Sequence, residues 1–360
     1  MPESKPKVVV VGAGVTGLTS GLLLLKNGYD VSIIAKHIPG DFELLSSKAG
    51  AQWSSHSGPD EFTFQEYDKP GYYEFLKLAR EEPTSGIHEV LVDHYAHKDY
   101  VSAYKLPWFE SYVPGFQKLD RSNFKFPSDD LVKGHRYKSV TITTPHYLAY
   151  LYAKVIEFGG TIKRARIDHI NDANKYHHSG ETPDLIINAT ALGARFLGGV
   201  NDLKMYPVKG HIVVVSNSCY NQKIVQPVPG SEVPGEAFYI MNRKEGGSII
   251  GGCYHPVKID EMDFKIDDKL TQRILTRAKK YAPELLDSKA FPENKPELDI
   301  VTVYVAYRPT REGGIRLERE GKIIHNYGAG GTGYQSSFGT AAGVLKLANE
   351  YIAKTKGSKL

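Results

Sequence analysis

The chain opens on an unbroken apolar run, KVVVV at 7–11, with no polar residue alternating into it. A run of that kind suits a strand buried on both faces of a parallel sheet. GAGVTG follows at 12–17, then the apolar stretch LTSGLLLLKNG, which predicts a helix closed by Gly28 just past its end. VSIIA at 31–35 returns as a second strand. Between 58 and 140 the pattern breaks up into scattered tyrosines, charges and prolines. That region predicts one helix, over PGYYEFLKLARE at 70–81, and no parallel-strand run. Apolar positions 148, 151, 152, 155 and 156 then repeat at the helical period. They predict a helix from Leu148 to Phe158, capped by Thr144-Pro145 and ended by Gly159-Gly160.

TIKRARI at 161–167 and DLIINATALGA at 184–194 read as strands that return to the first sheet. From 206 to 304 the pattern is β-like: HIVVV, EAFYIM, SIIGG and ELDIVTVYVAY. The last segment, KIIHNYGAGGTGYQSSFGTAAGVLKLANEYIA, is strand, glycine loop and helix, with Val344, Leu347, Ala348 and Ile352 on the buried side of a helix over 340–353. Repeats and low-complexity tracts are absent from the sequence.

Strand, glycine turn, helix and strand in the first 35 residues have the layout of a dinucleotide-binding unit. Gly12 makes the tight turn, Gly14 admits a pyrophosphate, and Gly17 lets helix pack on strand. Gly12 to Gly17, with Ala13, Val15 and Thr16 between the glycines, is therefore a candidate cofactor segment at a helix N-terminus. The second strand ends in Lys36 and His37, where such units usually carry an acid for a ribose hydroxyl. Lys36 would suit the 2′-phosphate of NADP, so an NADP-dependent dehydrogenase stays open on this unit alone. The expected fold is α/β: a discontinuous Rossmann-type domain from 1–57, 141–205 and 305–360, with a mostly β substrate-binding and interface domain inserted as 58–140 and 206–304.

Composition narrows the classes. Hydrophobic residues at 41% and charged residues at 24% are those of a globular chain, and a net charge of +4 is too small to argue for nucleic acid. No apolar run is long enough to span a bilayer. Two cysteines, Cys219 and Cys253, suggest neither a disulfide framework nor a metal site. His94 and His97, and likewise His177 and His178, read as surface pairs, so no metal is expected. The sequence ends in Ser358-Lys359-Leu360, the form of a peroxisomal import address read by a receptor.

Five motifs stand in one order along the chain: GAGVTG, AGAQW at 49–53, INATALGA at 187–194, YRPTREGG at 307–314 and HNYGAGGTGYQ at 325–335. Together they resemble the D-amino-acid oxidase family of FAD enzymes over nearly the whole chain, the fungal members most of all, also through YIMNR at 239–243. The resemblance implies FAD as cofactor and oxidation of a D-amino acid to the imino acid. It also implies hydrogen peroxide from O2 and a peroxisomal home. A homo-oligomer is the expected assembly. His37 departs from the acid usual near that position and leaves open how the adenosine ribose is held.

The resemblance also places the site. The implied cofactor residues are the Gly12–Gly17 turn, Lys36, His37, Ser47, Lys48, Ala49, Gly50, Ala51, Arg166, Ile167, Ala189, Thr190, Gly193 and Arg308, with Gly330, Gly331, Thr332, Gly333, Tyr334 and Gln335 from the second glycine loop. Arg308 matches the arginine that clamps the substrate α-carboxylate, a task that suits a planar guanidinium. Tyr239 matches the tyrosine that adds a hydroxyl bond, and Tyr220 is a candidate lid. No acid–base residue is expected, because the flavin accepts the electrons once the amine is neutral. His56 marks the acidic-substrate members, and its charged form would be favoured beside a side-chain carboxylate. Arg243 is a second candidate cation on the same strand face as Tyr239, and Lys48 a third. The expected activity is thus oxidation of acidic D-amino acids, D-aspartate above all. The alternatives are neutral D-amino acids, the NADP dehydrogenase, and a binding protein without catalysis.

Overall fold

The structure is a computed structural model that describes residues 5–124, 129–228, 230–232 and 235–357. Its first layer is a six-stranded sheet with Lys7–Val11 at the centre. Asp30–Ala35 and then Thr161–Arg164 lie parallel on one side, and Leu185–Asn188 and Ile323–Tyr327 lie parallel on the other. Arg316–Glu320 closes the edge antiparallel. Val8, Val9 and Val10 have no exposed surface, as the unbroken apolar run requires. Helix Val15–Lys26 follows the first glycine turn and ends where Gly28 takes a φ of +85°. The glycine at C′ behaves as its position predicts.

The second layer is a ten-stranded, mostly antiparallel sheet. Its backbone is Met205–Val215, which pairs along its length with Ile300–Arg311 on one side and with Ser248–Cys253 on the other. Glu236–Asn242, Gln222–Val225, Ile87–His97 and Leu131–Ile142 continue outward. The last two are long strands, antiparallel to each other, in a region placed in the mostly β domain but without a strand run legible in its sequence. His97 is buried at 2% exposure and His94 is half-buried with an unpartnered Nε2, so they are strand residues and not a surface pair.

Three helices depart from expectation. Phe62–Glu81 runs straight through Pro70, with Trp53 Nε1 donating to the Asp68 carbonyl at 2.8 Å and Tyr112 Oη to the Lys69 carbonyl at 3.0 Å. Tertiary packing of Tyr72 and Phe75 outweighs the proline. Asp268–Tyr281 is a full helix inside the β-rich region, its N-cap Asp267 accepting from Leu270 N. Helix Thr144–Glu157 begins with Thr144 already inside. That hydroxyl does not cap the helix; it donates to the carbonyls of Ser47 at 2.9 Å and Ala49 at 3.0 Å.

The long strand Ile300–Arg311 crosses the expected domain boundary at 305 and stays in the second sheet to its end. There it hands over to the second glycine loop: Gly330 N donates to Pro309 O at 3.0 Å, and Thr310 bridges Ala329.

Candidate active site

A cleft of about 1620 Å³, counted to its open mouth, lies between the two sheets. Gly14, Val15 and Thr16 line its deep end at the start of the first helix. That helix has no side-chain cap and no acid in its first turn, so its free N–H groups face the cleft. Gly12 and Gly17 do not line the cleft; they make it possible. A Cβ on Gly12, whose φ is +118°, would stand 2.3 Å from Ala189 O, and one on Gly17 would stand 2.0 Å from Gly12 O. Ala13 is buried beneath them.

The flank is built from Lys48, Ala49, Gly50 and Ala51, with Ala189 behind and Gly330, Gly331, Gly333, Tyr334 and Gln335 opposite. Tyr334 Oη donates to Ser46 O at 2.7 Å, tying the glycine loop to that flank. Asn188 Oδ1 accepts from Thr190 N and from Thr190 Oγ1 at 2.7 Å, which fixes the turn around Ala189.

The second sheet forms the opposite wall. One row of Cα partners crosses six of its strand pairings: His135, His94, Ile224, Tyr239, Gly251, Ile212 and Tyr304. Residues in register share a face, so the row is aimed at the cleft, which Ile224, Tyr239, Ile212 and Tyr304 line. Arg308 stands on the same face, four residues beyond Tyr304. Its Nη1 donates to Cys253 O at 2.9 Å and its guanidinium lies 4.1 Å from the centre of the Tyr254 ring. Two glycines make room. A Cβ on Gly210 would meet Arg308 Nη1 at 2.8 Å, and one on Gly251 would meet the Tyr239 ring at 2.0 Å. Burial pushes the Tyr239 phenol well above its ordinary pKa, with Tyr254 adding to the rise and Arg308 opposing it. Tyr239 is therefore a neutral donor beside a fixed cation.

His56 lines this cleft and the shallower one adjoining it, together with Arg308. Its imidazole has open surface, but that surface faces into the clefts. Desolvation holds its pKa below the ordinary histidine value, and the Arg308 charge lowers it further. A carboxylate placed between them would oppose both effects by favouring the charged imidazole.

Several expected residues stand elsewhere. Arg243 does not line the cleft; its guanidinium donates to Gly247 O at 3.1 Å and to Gly246 O in its own hairpin turn. Tyr220 is 59% exposed, packs on Phe291 with ring centres 4.7 Å apart, and lines a different surface cleft beside Asp93 and Arg136. The lid position assigned to it does not match this geometry. Lys48 reaches the flank, but its ammonium sits 3.7 Å over the Phe42 ring.

On the cofactor side, Lys36 is exposed and outside the cleft. His37 also stands outside it, 3.9 Å from Asp41 and 4.0 Å from Glu43. Hydrogen bonding to Arg164 holds the Asp41 carboxyl down at about 2. The acids absent from the strand end thus lie four and six residues further on. Arg166 is exposed and bonded to Asp168, Ile167 packs on a core cluster, and Ser47, Thr190 and Gly193 support the flanks without lining the cleft. Thr332 lines the adjoining cleft.

His177 is not a surface residue, its side chain having no exposed area. With His178 and Asp30 it makes the one group among the described residues with metal-ligand atoms within 4.8 Å of one another. That group lies at the opposite end of strand Asp30–Ala35 from Lys36 and His37, away from the cleft.

The cleft fits an extended nucleotide with an aromatic ring system: an anion seat at one end, small residues along the flank, and a substrate wall carrying an arginine. Residues 7–347 match the family model described as FAD dependent oxidoreductase, abbreviated DAO. The chain belongs to this family. FAD is its cofactor, and Gly14 to Thr16, Ala49 to Ala51, Gly330, Gly331 and Gly333 line the cleft that would hold it. The oxidoreductase is 35% identical to a D-amino-acid oxidase of Fusarium vanettenii, covering 98% of this chain and 99% of that one. It is 30% identical to a D-aspartate oxidase of Cryptococcus neoformans var. grubii, over 96% and 97%. Among solved structures, glycine oxidase from Bacillus cereus shares the fold with a TM-score of 0.72 at 19% identity, over 97% and 96% of the two chains.

Sequence reasoning passed over Gly210, Gly251, Tyr254, Tyr304 and Asp68. Gly210 and Gly251 sit inside strand segments, which is the ordinary mark of a close approach by another group. The two tyrosines carry no comparable mark: Tyr304 reaches the cleft through the sheet register, and Tyr254 reaches Arg308 from the link between two strands.

Proposed function

We propose that this oxidoreductase oxidises acidic D-amino acids, with D-aspartate the intended substrate, to the 2-oxo acid, ammonia and hydrogen peroxide. The observation that carries the reading is the pair Arg308 and His56 in one cleft. Arg308 offers a bidentate seat for the α-carboxylate, and Tyr239 adds a hydroxyl bond from the same sheet face. His56, close enough to feel the Arg308 charge, is placed to accept the side-chain carboxylate of a dicarboxylic substrate. FAD, when bound, supplies the two-electron acceptor. The work of the protein is orientation. The Arg308 clamp is immobilised by the Cys253 carbonyl and the Tyr254 ring, and Ile212, Ile224 and Met241 line the cleft with apolar surface. No acid–base residue is needed, provided the substrate binds with a neutral amine.

A second reading, oxidation of neutral D-amino acids, is favoured by that apolar lining and by the 35% relative. Anaerobic mixing of the yellow protein with D-aspartate and, separately, with D-alanine decides between them. Rapid bleaching by D-aspartate with slow bleaching by D-alanine is the expected result; the reverse order selects the second reading. Delivery to peroxisomes is proposed on Ser358-Lys359-Leu360 alone, which lie outside the described residues. Loss of import when the three residues are deleted is the expected outcome.

A further inference from the structure

Asp68 is 2% exposed in the middle of helix Phe62–Glu81, and among the described residues it forms no ion pair. One of its oxygens, Oδ2, accepts three hydrogen bonds: from Ser55 Oγ at 2.6 Å, Gln335 Nε2 at 2.9 Å and Ser57 Oγ at 3.3 Å. Ser55 and Ser57 flank His56 on both sides. Ser55 Oγ also accepts from Trp108 Nε1 at 2.8 Å and from Ser57 N at 3.3 Å. Gln335 comes from the second glycine loop and lines the cleft.

A buried carboxylate without a cation is costly, and a bare helix-packing role would be filled more cheaply by an apolar residue. What a carboxylate does that no neutral side chain does is accept only. All three partners are thereby fixed as donors, so Gln335 must present its Nε2 to Asp68 and hold its Oε1 away from it. Burial lifts the Asp68 carboxyl to about 6, while the bonds from Ser55, Gln335 and Ser57 oppose the rise, so the group is charged at neutral pH.

We propose that Asp68 is a positioning residue for substrate selectivity, pinning the Ser55–Ser57 loop to the glycine loop so that His56 is held at the distance a substrate side-chain carboxylate requires. The inference rests on the reading that His56 meets that carboxylate. It adds that this selectivity is set by a residue outside the main cleft, on the lining of the adjoining one.

The test is a double-mutant cycle on the flavin-loaded enzyme with Asp68→Asn and His56→Ala, measuring kcat and KM for D-aspartate and D-alanine. The amide of Asp68→Asn keeps the shape of the carboxyl but removes its charge, so the bonds from Ser55, Gln335 and Ser57 lose their charge-assisted strength. Asp68→Asn is expected to raise the ratio of the D-aspartate KM to the D-alanine KM at least fivefold, with the D-aspartate kcat moving less than its KM. The double variant is expected to match His56→Ala alone, because Asp68 acts through His56. A KM ratio unchanged by Asp68→Asn, while His56→Ala raises it, overturns the proposal and leaves the substrate reading intact. An unchanged ratio in His56→Ala overturns the substrate reading, and with it any action of Asp68 through His56. Effects that multiply in the double variant overturn the coupling. Should Asp68→Asn fail to fold, Ser57→Ala, which removes the 3.3 Å bond alone, is expected to raise the same ratio about twofold; no change there overturns the proposal.

Discussion

Gly210→Ala tests the carboxylate clamp without touching it. The new Cβ would stand 2.8 Å from Arg308 Nη1 and 3.0 Å from its Cζ and Nη2. The atom in the way is the far end of a flexible side chain, so the fold survives and the guanidinium moves. To regain ordinary contact at 3.4 Å, Nη1 must retreat by about 0.6 Å. That motion stretches its bonds to the carbonyls of Cys253 at 2.9 Å and Lys209 at 3.4 Å. A misplacement of about 1 Å in a positioning group costs on the order of a hundredfold in rate, so about 0.6 Å is worth about tenfold in kcat/KM, or about 1.4 kcal/mol. Every amino-acid substrate shares the α-carboxylate, so D-aspartate and D-alanine should lose equally. Steady-state oxygen consumption with both substrates reads the effect, and the flavin absorbance and thermal midpoint report that cofactor and fold are retained. Full activity toward both in a folded, yellow variant would refute the placement of the substrate carboxylate on Arg308.

Arg308→Ala removes the clamp outright and is expected to cost about 2–5 kcal/mol in kcat/KM for all substrates, read in the same oxygen assay. His56 has a lowered pKa and is therefore neutral in the free enzyme near pH 7, so binding a side-chain carboxylate draws a proton in. The selectivity for D-aspartate over D-alanine should accordingly fall as pH rises above neutrality, by up to tenfold per pH unit, in kcat/KM profiles of the two substrates. Gly12→Ala places a Cβ 2.3 Å from a backbone oxygen at a φ of +118°, and is expected to give colourless protein with a lowered thermal midpoint.

The dinucleotide unit was legible because its demands are local. A glycine at a positive φ and an unbroken valine run announce themselves without reference to the rest of the chain. Strands Ile87–His97 and Leu131–Ile142 were not legible, because their polar residues become acceptable only when paired. Asp93 is 1% exposed and is bound by Arg136 at 2.5 and 2.8 Å, its Cα partner on the facing strand. Lys138 pairs with Glu89 diagonally across the same two strands. Read singly, those charges argue for loops. Helix Asp268–Tyr281 does carry the helical period, at 270, 274, 275, 278 and 281, all buried; the surrounding β pattern masked it. Arg308, Tyr239 and His56 were readable from motif resemblance, and the structure brings all three to one cleft. Arg243 was misread because strand alternation fixes the side of a residue and not what its head group meets. Two glycines of its own turn, at φ values of +75° and +74°, turn their carbonyls toward it. Asp68 had no signal at all: its three donors come from two segments, one of them 267 residues away.

Arg308 and His56 are carried by different kinds of backbone. Arg308 belongs to a long strand, paired over its whole length and joined at its end to the glycine loop. His56 belongs to a short loop tied by hydroxyls and one carboxylate. If His56 meets the substrate side chain as proposed, substitutions in the loop would alter which side chain is welcomed and leave the Arg308 seat where it is. On the proposed reading, substrate range could be altered one loop residue at a time while the strand keeps the carboxylate seat unchanged.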